Sequence, residues 1–155
     1  MTELKNKNKI PKEFRKGNKD VKHIWIGSQE DSVVQGNGEV YKISGGGNIL
    51  NFNQIGIIRE AGFFRRLIVN VTANNCGDIS VSTVGLIKQS GGNVEDLNVI
   101  YSDSETGTKR NEQNILEVSK GEKIGIQIDA GEDSNGIAEI SGVSWSVEFI
   151  PYQKQ

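Results

Sequence analysis

Short runs in which apolar and polar residues alternate dominate the chain from residue 48 onward. The clearest runs lie at 67–73, 79–88, 124–129 and 143–149. A period of two places apolar side chains on one face and polar side chains on the other, as a half-buried antiparallel strand requires. In the run at 79–88 this pattern assigns Ile79 and Val81 to the apolar face. Weaker runs at 48–52, 54–58, 97–101 and 113–118 bring the predicted number of strands to eight.

The connections between these runs favour one kind of β-fold. Clusters of Gly, Asn, Asp and Ser separate the strands, and the connections differ in length, which is typical of a jelly roll rather than an up-and-down barrel. The polar segment 102–111 is long enough for a chain that crosses between two sheets. An immunoglobulin-like sandwich is the alternative, but Cys76 is the only cysteine and the Cys…Trp…Cys framework is missing. The predicted fold is all-β, an antiparallel eight-stranded jelly-roll β-sandwich over residues 48–151.

The segment before residue 48 predicts two further parts. Residues 1–22 contain few apolar side chains, so burial cannot offset the entropy cost of ordering them, and we expect a flexible arm. The sequences HIWI at 23–26 and EVYKI at 39–43 predict a short β-hairpin, followed by a glycine linker at 45–47. The expected order is therefore an arm at 1–22, a hairpin with its linker at 23–47, and the jelly roll at 48–151.

Charge separates the arm from the rest of the chain. Residues 1–23 hold eight Lys or Arg against three acidic residues, a net charge of +5, whereas the other 132 residues have a net charge of −7. Such asymmetry is typical of an interaction tail attached to a globular body. The residues predicted to anchor the protein are the basic and apolar side chains of this arm: Lys5, Lys7, Lys9, Ile10, Lys12, Phe14, Arg15, Lys16 and Lys19.

The arm has three interpretations. It could dock on an acidic protein surface, it could neutralise nucleic-acid phosphates, which requires only a density of Lys and Arg, or it could serve only to solubilise the protein. The arm contains one arginine, Arg15, and three acidic residues, which makes it weaker than a typical nucleic-acid packaging arm. We therefore rank an acidic protein partner ahead of nucleic acid.

The sequence offers no convincing catalytic or metal-binding group. His23 is the only histidine and Cys76 the only cysteine, so neither a structural zinc site nor a nucleophile with its oriented base is expected. Asp129, Glu132 and Asp133 cluster in a glycine-rich turn, but they lack the ligand spacing of a calcium loop. Such residues favour turns for conformational reasons alone. We expect no enzyme activity, no cofactor and no metal.

Aromatic residues predict one core position and several contact positions. Trp145 belongs to the apolar face of the last strand and is predicted to be buried. Trp25 and Tyr41 fall in the predicted hairpin, outside the sandwich, where they could stack on sugar or contact a neighbouring subunit. The sequence FFRR at 63–66 places one aromatic and one cation on each face of a strand, which favours an interface there.

Two parts of the chain resemble bacteriophage proteins. The string VKHIWIGSQEDSVVQGNGEVYKI at 21–43 resembles a short module of phage fibre and head-decoration proteins, apart from its EDSVVQ stretch. The matching residues are Ile24, Trp25, Gly27, Ser28, Gln29, Tyr41 and Ile43. The segments GEKIGIQIDAG at 121–131 and WSVEF at 145–149 are similar to the closing strands of jelly rolls in phage head-fibre and spike proteins. Those domains are related in architecture to tumour-necrosis-factor-like trimers.

The resemblance implies a non-enzymatic protein of the virion surface. Its arm would bind the major capsid protein or another virion protein, and it would display a trimeric jelly roll as a head fibre or decoration protein. One alternative is a receptor-binding module of a phage tail or fibre, with loops 102–111 and 129–135 on a host-surface glycan. Another is a coat protein whose arm binds packaged nucleic acid. No apolar stretch approaches the ~20 residues that span a bilayer, so no membrane partner is expected.

Overall fold

The computed structural model describes residues 22–34, 38–41, 45–46, 56–76, 78–88, 97–134 and 139–152. Residues 1–21 of the predicted arm and the strand predicted at 48–52 lie outside this part of the chain. Within the described residues there are eleven strands and no helix, which confirms the all-β prediction. The strands are β1 (His23–Gln29), β2 (Val33–Val34), β3 (Gly38–Tyr41), β4 (Gly45–Gly46), β5 (Gly56–Ile57), β6 (Gly62–Asn74), β7 (Ser82–Lys88), β8 (Asn98–Tyr101), β9 (Gly107–Val118), β10 (Lys123–Asp129) and β11 (Glu139–Pro151).

The strands form two sheets that pack face to face. One sheet has the order β4-β1-β11-β6-β9, with β2 also paired to β11, and the other has the order β3-β10-β7-β8, with β5 also paired to β10. The pairs are antiparallel except for a short parallel contact between β1 and β4. We call the first sheet the β11 sheet and the second the β10 sheet. The predicted antiparallel β-sandwich is confirmed.

Eight of the strands pair in a nested sequence. The first pairs with the last, β1 with β11, and the next inward pairs are β3 with β10, β6 with β9, and β7 with β8. This wrapping is the connectivity of a jelly roll. The described part of the chain has eleven strands against the eight predicted, because β1 to β4 also belong to the sandwich. The strand predicted at 54–58 is seen as β5 over Gly56–Ile57.

The hairpin predicted for residues 23–47 does not form. β1 lies in the β11 sheet and β3 in the β10 sheet, so the two strands pair with β11 and β10 near the end of the chain rather than with each other. Val33 and Tyr41 are fully buried in the same core as the later strands. A two-stranded hairpin alone is marginal in water because it has little to bury its apolar face against, whereas the sandwich supplies that surface.

The core lies between the two sheets and is built from the apolar positions of the alternating runs. Trp145 is buried there, as predicted, among β-branched and aromatic neighbours. The largest fully buried side chains are Tyr41, Tyr101, Phe64, Leu67, Leu86, Leu97, Ile124, Ile126, Ile128, Ile140, Val33 and Val69. At about 25 cal/mol per Å² of apolar area, this continuous cluster is the main stabilising term of the fold.

A β-bulge interrupts the alternation in β6. The register of β6 shifts against both β9 and β11 near Arg66, whose φ of 54° lies in the left-handed region that a non-glycine residue adopts at a cost. Phe63 and Phe64 are both buried, and the apolar face resumes at Leu67, three residues after Phe64. The expectation that one aromatic and one cation occupy each face of this strand was wrong, because the bulge inserts an extra residue.

Candidate interaction surfaces

The two ends of the sandwich have opposite charge. At one end the chain crosses between the sheets, after β1, β6, β8 and β10. The described loop residues there, 30–32, 75–76, 78–81, 102–106 and 130–134, contain seven Asp or Glu and no Lys, Arg or His. We call this the acidic end. The loops that the sequence suggests for binding a host-surface glycan lie at this end, since residues 102–106 and 130–134 both belong to the acidic end.

The opposite end carries several cations. Lys22, the last residue of the predicted arm, precedes β1 there, so the arm, residues 1–22, is joined to the body at this end. The described cations in its loops and strand ends are Lys22, Arg59, Arg65, Arg66, Lys88, Lys120 and Lys123. Fewer acids accompany them, namely Glu60, Glu117, Glu122 and Glu148. We call it the basic end.

One carboxylate organises three cations at the basic end. The side chain of Glu148 is only 13% exposed, and its oxygens lie 3.1 Å from Arg65 Nε, 3.6 Å from Arg66 Nη1 and 3.8 Å from Lys22 Nζ. Because the bulge turns both arginines toward Glu148, the cluster has a local excess of two positive charges. It is a charged surface whose partner would have to be anionic.

Two isoleucines lie exposed beside this cluster. Ile24 and Ile26 on β1 are 51% and 62% exposed, and they lie opposite Glu148 and Ser146 of β11 on the outer face of the β11 sheet. We call the pair the β1 patch. Neighbouring apolar side chains left open on a sheet face are typical of a contact surface. These two residues were not predicted as contact residues, because the sequence HIWI was interpreted as one strand of a separate hairpin.

The two aromatic contact residues predicted from the sequence are placed differently. Trp25 points inward between the β1 patch residues and packs edge-on against Phe64 at 5.3 Å between ring centroids, with Phe149 at 6.1 Å. It is only partly buried and closes the edge of the core. Tyr41 is fully buried within its own subunit. The prediction that Tyr41 contacts another subunit was therefore wrong, because its side chain fills the core under the β10 sheet.

The acidic end is held together by hydrogen bonds between its loops. Ser104 N donates to the carbonyl of Cys76 at 3.0 Å, and the Asn74 amide donates to the Glu105 carbonyl at 2.9 Å. Ile79 N donates to the carbonyl of Glu132 at 3.1 Å. These bonds connect three loops that are far apart in sequence, so the loops of the acidic end are held in fixed positions relative to one another.

A shallow polar depression lies on the outer face of the β11 sheet, toward the acidic end. Hydroxyls, amides and one carboxylate border it, from Ser28, Glu30, Asn70, Thr72, Ser141 and Ser144, together with Gly142 and Val143. Protein sites for sugars usually combine such groups with an aromatic face on which the ring stacks. None of the residues bordering this depression is aromatic.

The groups considered for chemistry lie apart. His23 is exposed and stacks on Phe149 at 6.3 Å, whereas Cys76 is buried at the other end of the sandwich. Burial raises the pKa of the Cys76 thiol, which disfavours the thiolate that a nucleophile needs. Asp129 and Glu132 are exposed and Asp133 is buried. In the part of the chain that the structure describes, no three His, Cys, Asp or Glu side chains converge as metal ligands would.

The chain matches no protein-family model and no curated protein. Across the described ranges, no helix has the length and apolar content needed to cross a membrane. The anchoring residues proposed from Lys5 to Lys19 lie outside the described residues, so their role stays a prediction.

Proposed function

We propose that this protein is a non-enzymatic component of a virion surface, a capsid-attached head fibre or decoration protein. Its N-terminal arm binds the major capsid protein or another virion protein, and its jelly roll is displayed outward. The observation that supports this proposal is the separation of charge between the two ends of the sandwich. The arm with its charge of +5 joins the sandwich at the basic end, and the acidic loops lie at the far end.

The separation of charge between the two ends determines which end of the molecule would face an acidic surface. An acidic surface attracts both the arm and the basic end, while it repels the seven carboxylates of the described loops at the acidic end. The molecule would therefore attach by one end and hold the other end away from the surface. Complementary charge of this kind steers encounter and fixes orientation more than it adds affinity.

The β1 patch supports self-association into a trimer. Ile24 and Ile26 are exposed on the sheet face nearest to the point where the arm leaves the body. Burying them between subunits removes apolar area from water, and a cyclic arrangement buries the same patch on every subunit. Three arms would then emerge side by side, and their combined attachment to a repeating capsid lattice gains strength through multivalency.

The anchoring role can be tested with substitutions in the full chain. In one variant Lys5, Lys7, Lys9, Lys12, Lys16 and Lys19 are replaced by Gln, and in a matched control the same six are replaced by Arg. Each protein is sedimented with heads of the virus that encodes it, and its circular dichroism is recorded. We expect the Gln variant to stay folded and lose binding, and the Arg control to bind like the natural protein. Sedimentation of the Gln variant with the heads at wild-type level would overturn the anchoring role.

A second candidate function is receptor or glycan binding by the loops of the acidic end. The observation in its favour is that residues 102–106 and 130–134 meet there and are fixed by hydrogen bonds. A glycan array probed with the full chain separates the two candidates: selective glycan binding that the six Lys→Gln substitutions leave intact favours the receptor role. The nucleic-acid alternative predicts instead that the arm retains DNA on a filter, with retention that falls steeply as salt rises.

A further inference from the structure

The usual pattern of a β-sandwich is inverted at the start of β7. Ser82 is fully buried, whereas Ile79 and Val81 are 61% and 44% exposed. The sequence predicts the reverse, since Ile79 and Val81 were assigned to the apolar face. The strand begins only at Ser82, and the inward positions continue from there through Val84 and Leu86. Ile79 and Val81 are thus exposed to solvent, although the alternation in the sequence predicts that they are buried.

Hydrogen bonds with the loop after β10 impose this inversion. The Ser80 hydroxyl accepts from Glu132 N and the Ser82 hydroxyl accepts from Gly131 N, each at 2.8 Å. Ile79 N and Ser80 N both donate to the Glu132 carbonyl, at 3.1 and 3.3 Å. Because both serines must face the loop, the residues between and before them must face outward.

Two further contacts fix the position of this segment. Gly131 lies against the backbone of Ser80 and Val81, so closely that a β-carbon on it would overlap the Ser80 carbonyl oxygen. Ser134 donates from its backbone N to Asp78 Oδ1 at 2.7 Å and from its hydroxyl to the other carboxylate oxygen. These bonds from Ser134 lower the pKa of Asp78, so its charge is retained. These hydrogen bonds and the close approach of Gly131 therefore hold the exposed pair, Ile79 and Val81, in a fixed position.

We propose that Ile79 and Val81 form a docking point for a protein partner that offers an apolar recess bordered by Lys or Arg side chains. The apolar pair supplies the buried centre of such a contact, and its surroundings supply the charge. Glu132 is exposed next to it, and the described loops of this end carry acids without a cation. Charge complementarity therefore selects a cationic border, and rigidity lowers the entropy cost of binding.

A second copy of this chain is not the expected occupant. A symmetric contact through this point would bring two acidic ends together, and like charges placed opposite one another disfavour an interface. The docking point also lies at the opposite end of the sandwich from Lys22 and the arm. The inference is therefore independent of whether the arm anchors the protein to a capsid.

The test uses a library of random dodecapeptides selected on the immobilised full chain. We expect enriched peptides to combine a bulky apolar residue with Lys or Arg. Their dissociation constants should rise by about tenfold or more for an Ile79→Ser, Val81→Ser double variant, as for loss of a central contact. They should rise by a smaller factor for Glu132→Gln, and binding should weaken as salt is raised because the charges are screened. The matched control, Ile57→Ser with Ile100→Ser, removes two isoleucines of similar exposure from the β10 sheet and should bind like the natural chain.

Three results would overturn the proposal. These are the absence of enriched peptides, enriched peptides without cations, and peptides that bind the Ile79→Ser, Val81→Ser variant as tightly as the natural chain. Hydrogen-exchange protection of the Gly131 and Glu132 amides verifies that the substituted segment keeps its position. If that protection is lost, single Ile79→Ser and Val81→Ser variants with intact protection decide the outcome. Light scattering compares the natural chain with the Ile79→Ser, Val81→Ser variant: an oligomer that these two substitutions dissociate would show that a second copy occupies the site, which would also overturn the proposal.

Discussion

Gly131 and Ser80 approach each other so closely that only a hydrogen fits at the Gly131 Cα on the side facing the Ser80 carbonyl. Gly131→Ala must push the loop away from the start of β7, and we expect the free energy of unfolding to fall by about 2 kcal/mol, as for other overpacked sites. Urea denaturation measures this loss. Gly56→Ala is the control, because no atom lies within 4 Å of its added β-carbon. Equal stability of the two variants would contradict the close approach.

The three cations around Glu148 predict a salt-dependent stability. Glu148→Gln keeps the shape of the side chain but leaves Arg65, Arg66 and Lys22 close together without their counter-charge. We expect a loss of about 1–3 kcal/mol in low salt, since the carboxylate is mostly buried and bonded to Arg65. The loss should shrink in high salt, which screens the repulsion.

Glu105→Gln provides the comparison for Glu148→Gln. Glu105 pairs with Lys109 at 2.8 Å, but its side chain is 42% exposed against 13% for Glu148, so its replacement should cost less. The two variants are compared by urea denaturation at low and high sodium chloride. A Glu148→Gln penalty that does not change with salt would show that cation repulsion is not its cause.

The hydroxyl of Tyr101 predicts a change of stability at high pH. It lies 2.7 Å from the Gly107 carbonyl and 3.0 Å from the Val69 carbonyl, and burial raises its pKa from the usual value of about 10 to about 12. Between about pH 10 and pH 12 the Tyr101 hydroxyl loses its proton in the unfolded chain and keeps it in the folded chain. The free energy of unfolding therefore falls as pH rises through this window. Below that window the hydrogen bond should make the natural protein about 1 kcal/mol more stable than Tyr101→Phe.

The measurement for Tyr101 is a series of urea denaturations from neutral pH to pH 11.5 on the natural protein and Tyr101→Phe. The advantage of the natural protein should be constant at lower pH and should narrow as the pH rises above about 10. Tyr152 also has a raised pKa, through burial and its hydrogen bond to Glu117, but it is present in both proteins and cancels in the difference. An advantage that stays constant up to pH 11.5 would count against the assigned pKa.

The β1 patch predicts the oligomeric state. We expect the natural chain to have about three times its mass of 17.0 kDa in light scattering, and the Ile24→Ser, Ile26→Ser double variant to be a monomer with the same circular dichroism. The matched control is Ile57→Ser with Ile100→Ser, which removes two isoleucines of similar exposure from the β10 sheet. Dissociation by the control and not by the β1 variant would place the contact on the other sheet.

Truncation tests whether the early strands belong to the sandwich. A chain that begins at residue 48 lacks β1 to β4 and with them the buried side chains of Val33 and Tyr41. We expect it to lose cooperative thermal unfolding, because both sheets lose a strand. A chain that begins at residue 22 retains every core residue seen in the structure and should unfold cooperatively. Cooperative melting of the shorter chain would restore the separate hairpin predicted from the sequence.

The sequence predicts the strands whose one face is buried along their whole length. The apolar positions of β10 and β11 are correctly assigned, because Ile124, Ile126, Trp145 and Val147 all lie in the core. Period-two alternation arises from the geometry of a strand and needs no knowledge of its partner. The antiparallel β-sandwich could be predicted for the same reason, because alternation identifies half-buried strands without reference to their partners.

Pairing between distant strands could not be predicted in the same way. The partner of β1 lies more than one hundred residues away, and alternation within β1 does not specify it. The outward turn of Ile79 and Val81 depends on hydrogen bonds to Gly131 and Glu132, which no local pattern contains. The bulge at Arg66 shifts the inward face by one residue and leaves no mark in the sequence. Each candidate contact surface depends on one of these long-range features.

The position of β11 affects how the chain folds during synthesis. β11 lies between β1 and β6, so the sheet that contains the earliest strand has a gap at its centre until residues 139–151 leave the ribosome. Until then β1 and β6 expose strand edges that could pair with other nascent chains. We infer that the β11 sheet closes only after residues 139–151 have left the ribosome, and that chaperones which shield unpaired strands raise the yield of the folded protein.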